Sequence, residues 1–169
     1  NERGHQVLRI VAVDGDTGRA KAIVDETSAT FVDYSQKTFR HDLPESGELI
    51  WMSERDGWNH LYLMDAKKGR VKNQITKGDW VVRGVDRVDE ELRQIWFRAG
   101  GIHADQDPYY IHFARINFDG TGLVLLTDGD GTHEVTYSPT GEYYLDKYSR
   151  VDLAPVVELR RTKDGALVS

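Results

Sequence analysis

Apolar and polar residues alternate with period two along most of the chain, and helical spacing is nearly absent. Residues 7–13 form a mostly buried strand in this pattern, and residues 20–24 form its hairpin partner. Between them Asp14, Gly15, Asp16, Thr17 and Gly18 supply the turn residues that a tight reversal needs. The same strand–turn–strand grammar recurs at 61–64 with 71–76, at 110–116 with 123–127, and at 156–161 with 166–168. Three further strand pairs precede the later hairpins. They are Phe31, Val32, Asp33 and Tyr34 with 48–53; 81–85 with 93–97; and 134–137 with 142–145. The last pair is joined by Ser138, Pro139, Thr140 and Gly141, with proline pre-setting φ at the first central turn position.

The repeat has a measurable period. The turn glycines Gly18, Gly69, Gly122 and Gly165 are 51, 53 and 43 residues apart. Thr27, Thr76 and Thr127, each closing a strand, are 49 and 51 apart, and the Ile-Trp pairs at 50–51 and 95–96 are 45 apart. Periods of about 40 to 50 residues in an all-β sequence predict four-stranded antiparallel propeller blades. The expected fold is therefore an all-β propeller fragment of about three and a half such blades. It comprises a hairpin at 7–27, blades at 29–77 and 80–128, and a last blade at 133–169. Closed propellers have roughly four to eight blades, so an open arc exposes apolar faces and edges. Self-association is expected, with two arcs completing a ring.

Composition narrows the function classes. The chain has 169 residues, 39% hydrophobic and 30% charged, which is globular composition for one ordinary domain. A net charge of -6 argues against nucleic-acid binding, which needs a basic face. No apolar run approaches the roughly 18 residues of a membrane span. The absence of cysteine excludes disulfides, thiol nucleophiles and thiolate zinc sites, and leaves the compartment open. The start at Asn1 shows neither an initiator methionine nor a targeting segment, as expected of a piece of something longer.

Gly57, Trp58, Asn59, His60, Leu61, Tyr62 and Leu63, followed by the run from Ile75 to Val82, resemble the propeller of the dipeptidyl peptidase IV family. These are serine peptidases of the prolyl oligopeptidase clan. The resemblance continues through Gly84, Val85 and Asp86, the strand around Trp96, Asp107-Pro108-Tyr109-Tyr110 and the Ser138–Gly141 turn, and spans about residues 8–168. It implies the C-terminal half of the N-terminal propeller, immediately before a catalytic α/β-hydrolase domain that this chain lacks. That domain would be the partner within the parent chain, and peptides the parent's substrates. The resemblance also implies a secreted, periplasmic or membrane-tethered parent; the residues themselves leave localisation unknown.

No catalytic or amine-binding residue carries over. The family's nucleophile sits in a Gly-x-Ser-x-Gly elbow, and Ser28, Ser35, Ser46, Ser53, Ser138, Ser149 and Ser169 lie in no such motif. Asp89, Glu90 and Glu91 occupy an inter-strand turn and are not the family's paired glutamates, which belong to an earlier propeller segment. The fragment alone is expected to be non-catalytic, with no cofactor and no metal.

The remaining polar motifs favour structural roles. His60 is expected to tie a loop backbone at a blade edge, with Trp58 filling the core between blades. His41, His103, His112 and His133 show no ligand spacing on a common element, so no zinc site is predicted. Asp128-Gly129-Asp130-Gly131 with Glu134, and Asp14-Gly15-Asp16 with Gly18, are similar to calcium loops but lack the twelve-residue spacing. Turns with local hydrogen bonding are expected there, and solvent exposure for the loop from His103 to Pro108. Trp51, Trp96, Tyr143 and Tyr144 recur at blade positions and should pack between blades, while Lys67, Lys68, Arg160 and Arg161 should be solvated. Two functions follow: the accessory propeller of a dipeptidyl peptidase IV-like serine exopeptidase, or a TolB- or WD40-like protein-binding propeller without peptidase activity.

Overall fold

The computed structural model describes residues 4–33 and 38–169. Among them are strands in four antiparallel sheets and no helix. The first sheet pairs β1 (Val7–Val13) with β2 (Ala20–Thr27). The second runs in chain order through β3 (Arg40–Leu43), β4 (Glu48–Ser53), β5 (His60–Asp65) and β6 (Arg70–Gln74). The third does the same with β7 (Val81–Asp89), β8 (Gln94–Gly100), β9 (Ile111–Asn117) and β10 (Val124–Leu125). The fourth contains β11 (Thr132–Tyr137), β12 (Tyr143–Arg150) and β13 (Leu153–Arg161). The chain divides into two compact units, Asn1–Lys77 and Gly78–Ser169, each holding two sheets.

Each unit has a core where its two sheets meet. In the first unit Ile23 and Val24 of β2 pack with Leu49, Trp51, Tyr62 and Met64 of the second sheet. In the second, Trp96, Phe113 and Leu126 pack with Tyr144 of β12. All six residues of β4 are buried, as are His60 to Met64 in β5. Their polar–apolar alternation is weak for that reason: a strand covered on both faces needs apolar residues at successive positions.

Four local expectations are corrected. Phe31, Val32 and Asp33 form no strand, and Tyr34 lies outside the described residues. The partner of β4 is instead β3, joined to it by a turn in which the Gly47 amide donates to the Pro44 carbonyl across 3.3 Å. A short hairpin closes with less loss of chain entropy than a partner nine residues farther away, at 31–34 instead of 40–43. Strand β1 is not mostly buried: Val11 and Val13 are exposed, because only β2 flanks it among the described residues. The expected strand at 166–168 reduces to an isolated bridge between Arg160 and Leu167. Finally, β12 runs on to Arg150 and turns directly into β13, which carries Pro155 in its interior. Proline removes one ladder donor and is tolerated here because β13 is a margin strand of its sheet.

The four period-marking glycines all adopt left-handed φ, at 68°, 67°, 65° and 71° for Gly18, Gly69, Gly122 and Gly165. Gly69 does more than turn the chain. A Cβ there would lie 2.7 Å from the Ala22 carbonyl oxygen of β2, so the β5–β6 turn sits directly on the backbone of the preceding sheet. Gly165 repeats the contact in the second unit, where a Cβ would lie 2.9 Å from the Leu125 carbonyl oxygen. Gly18 has nothing within 4 Å. Gly18→Ala should therefore cost only the left-handed backbone penalty of about 1–2 kcal/mol. Gly69→Ala adds an overpacking term and should cost about 3 kcal/mol or more. Urea unfolding of the two variants checks this, and equal costs would contradict the backbone contact.

Candidate functional site

In the first unit a buried carboxylate gathers three elements. Glu26 lies near the end of β2, two residues beyond the buried Val24 and on the same face of the strand. Trp51 Nε1 donates to its carboxylate at 2.8 Å, Ser53 Oγ at 2.9 Å, and the Arg55 guanidinium also bonds to it. Arg55 in turn stacks over the Tyr62 ring, with Cζ 4.8 Å from the centroid. Beside this clamp is a cavity of about 260 Å³ lined by Leu8, Glu26, Phe31, Trp51, Met52 and Arg55 among others. With both oxygens engaged by donors, Glu26 serves to order the cavity wall rather than to accept a substrate proton. The sequence does carry its signal, a carboxylate two residues after Val24, on the inward face of β2.

The second unit brings together three histidines that are far apart in sequence. His103 comes from the loop before β9, His112 from β9 and His133 from β11. Ring centroids are 4.4 Å apart between His103 and His112, and 4.7 Å between His112 and His133. The Tyr148 ring continues the stack, 4.8 Å from His133. His133 and Asp146 are wholly buried and meet at 2.7 Å between Nδ1 and Oδ1, while His133 Nε2 lies 2.8 Å from the Gly129 carbonyl oxygen. Both ring nitrogens thus face oxygen atoms, one of a carboxylate and one of a backbone carbonyl. Arg160 Nε stands 3.8 Å from the other Asp146 oxygen. This pair is sealed from solvent and acts as a clamp between β11 and β12, not as an acid–base couple open to substrate.

His112 is buried between these rings. Its Nδ1 lies 3.3 Å from Thr127 Oγ1, which also accepts the Phe113 amide at 2.9 Å. Its Nε2 is buried without a hydrogen-bond partner. Burial, reinforced by the neighbouring His133 and His103, pushes its pKa down to about 4. The first unit contains the same latch: His60 Nδ1 is 3.0 Å from Thr76 Oγ1, and the Leu61 amide donates to that hydroxyl at 2.9 Å. A histidine opening the third strand and a threonine following the fourth thus close each of these two sheets. Of the four histidines expected to be separate, His103, His112 and His133 form a cluster while His41 lies apart on β3; among the described residues no His, Cys, Asp or Glu group is arranged to hold a metal ion.

Other expectations resolve individually. Trp58 is 41% exposed and fills no core; it sits in a loop where its amide donates to Asp56 Oδ1. His60 binds a threonine hydroxyl rather than only loop backbone. Trp51, Trp96 and Tyr144 are buried, but Tyr143 points to the opposite face and is exposed. Arg160 is buried, not solvated, because it lies directly opposite Tyr144 on the inward face; it pairs with Glu158 and Asp128. Lys67, Lys68 and Arg161 are exposed. In the calcium-like loops, Asp14 accepts the Thr17 hydroxyl and amide, which hold its pKa below the usual carboxylate value. Asp128 and Asp130 are directed at Arg160 and Arg150. The loop around His103 is anchored at two points, by His103 Nε2 at 3.2 Å from the Thr127 carbonyl oxygen and by Gln106 Nε2 donating to that of Asp128. Asp105, Asp107 and Pro108 are exposed.

The family profile described as the dipeptidyl peptidase IV (DPP IV) N-terminal region matches residues 1–155. Dipeptidyl peptidase 4 of Trichophyton equinum is 24% identical over 161 residues, covering 93% of this chain and 20% of its own length. That of Trichophyton rubrum is 28% identical over 116 residues, covering 68% and 14%. Among solved structures, Porphyromonas gingivalis dipeptidyl peptidase 4 superposes with a TM-score of 0.70 at 24% identity, covering 99% of this chain and 23% of that one. The all-β architecture is thus a β-propeller fragment with four-stranded antiparallel blades. The chain spans about a fifth of the length of the relatives it matches.

The histidine stack makes stability depend on pH. With the His112 pKa at about 4 in the fold and an ordinary value near 6.5 when unfolded, the unfolded chain binds more protons between those limits. Stability is then complete above pH 6.5 and declines as pH falls towards 4. From pH 7.5 to 5.0 the loss through this group should be about 2 kcal/mol. Urea midpoints at the two pH values should converge by that amount in His112→Asn; an unchanged difference would contradict it.

Proposed function

This chain belongs to the dipeptidyl peptidase IV N-terminal region family, and from that premise we propose that it is the propeller portion of a dipeptidyl peptidase IV-like serine exopeptidase. In this role the propeller caps a hydrolase site, restricts it to peptides with a free end and contributes binding groups from its loops. The parent protein removes N-terminal dipeptides by acyl transfer at a Ser-His-Asp triad outside this segment. The observation that carries the proposal is the family match over residues 1–155, in a chain that accounts for only 20% of a relative's length and so leaves room for a further domain.

The parent polypeptide should release the chromophore from Xaa-Pro dipeptide substrates with a free amine and leave N-acetylated versions intact. The 169-residue chain alone should show no turnover. A parent that cleaves neither substrate would overturn the peptidase assignment and favour a TolB- or WD40-like binding propeller.

Self-association follows from the last sheet. Leu145 lies opposite Leu159 and Lys147 opposite Val157, so these side chains share a face with Tyr143. Leu145 and Val157 are 49% and 59% exposed. Light scattering of the isolated chain should give a mass above its 19.3 kDa, lowered by Leu145→Glu. A clean monomer with a cooperative melt would count against it.

A further inference from the structure

A row of three side chains crosses the third sheet: Arg87 on β7 lies opposite Trp96 on β8, which lies opposite Arg115 on β9. Direct cross-strand partners share a face, so the two arginines flank the indole. Their Cζ atoms stand 4.7 and 5.9 Å from the Trp96 ring centroid. This row forms one wall of a cleft of about 750 Å³, a size typical of small-ligand sites. The opposite wall is the turn from Thr140 to Tyr143 together with Arg161, Thr162 and Lys163. Four cationic side chains and one carboxylate, Glu142, line the cleft, in a chain whose net charge is -6.

Not all of this positive charge is compensated within the fold. Arg87 pairs with Asp89, and Arg161 with Asp164. Arg115 has no carboxylate partner among the described residues; its Nη2 donates to the Lys163 carbonyl oxygen at 3.0 Å, a contact that carries no negative charge. Its Nε is buried without a hydrogen-bond partner. The same holds for Nε1 of Trp96, a residue only 5% exposed. Two adjacent residues of one row therefore each hold a desolvated N–H donor with no acceptor, beside a guanidinium with no counter-ion. Buried polar groups are normally satisfied, and guanidinium groups match oxyanions through paired N–H donors.

We propose that this cleft binds a small organic or inorganic oxyanion, a carboxylate or a phosphate, with Arg115 as the principal contact and Lys163 and Arg87 completing the charge. The anion supplies the negative charge that Arg115 lacks within the fold.

Calorimetric titration of the full-length parent with inorganic phosphate and, separately, with succinate tests the assignment. Saturable binding of one equivalent of either anion is expected, and the tighter of the two identifies the source as phosphate or carboxylate. Arg115→Gln should weaken it by at least about tenfold, the loss of one charge-assisted contact. Lys163→Gln, at an exposed position, should weaken it less and guards against a folding defect in the first variant. Arg19→Gln, outside the cleft, should leave it unchanged. Absence of saturable heat with both anions, or binding that survives both cleft substitutions, would overturn the proposal.

Discussion

A strand with side chains buried on both faces cannot be stable as part of a lone sheet, and this constraint governs the whole chain. β4 is buried at every position, and its Leu49 and Trp51 reach the first sheet only because Ile23 and Val24 of β2 are there to receive them. Trp96 and Tyr144 stand in the same relation across the sheets of the second unit. Stacking then decides what each remaining position can be. Turns that touch the preceding sheet must lack a side chain, as at Gly69 and Gly165. Burying a polar group costs least where it is paired, as Glu26 is with Trp51 and His133 is with Asp146.

Features that are local in the chain were legible from the amino-acid order. The period of the turn glycines reflects one repeated geometry, left-handed φ after a strand, and needs no knowledge of distant neighbours. Strand alternation placed most hairpins correctly for the same reason. The assignment of Phe31 to Tyr34 as partner of β4 fails because two candidate partners compete, and the Pro44–Gly47 turn favours the nearer one. Burial of Arg160 was equally hidden: its neighbour in sequence, Arg161, is solvated, and only the register with Tyr144 distinguishes the two.

The candidate sites were less legible because they depend on which sheets face each other. His103, His112 and His133 have no common spacing, yet sheet stacking brings their rings into contact. One part of that cluster does have a sequence trace. His60 with Thr76, and His112 with Thr127, are separated by nearly equal intervals and form the same latch in two sheets. A search for paired rather than single recurring residues would have found it. The Arg87–Trp96–Arg115 row leaves no such trace, since it exists only through the registers of two strand pairs.

Pro155 has a consequence for how copies of this chain can come together. A strand at the margin of a sheet offers unpaired amides and carbonyls to any passing backbone, the usual starting point for fibre growth. In β13 the proline interrupts that row of donors, and the contacts of Leu159 and Arg161 with residues 166–169 cover its far end. Main-chain templating is thereby blocked on this flank.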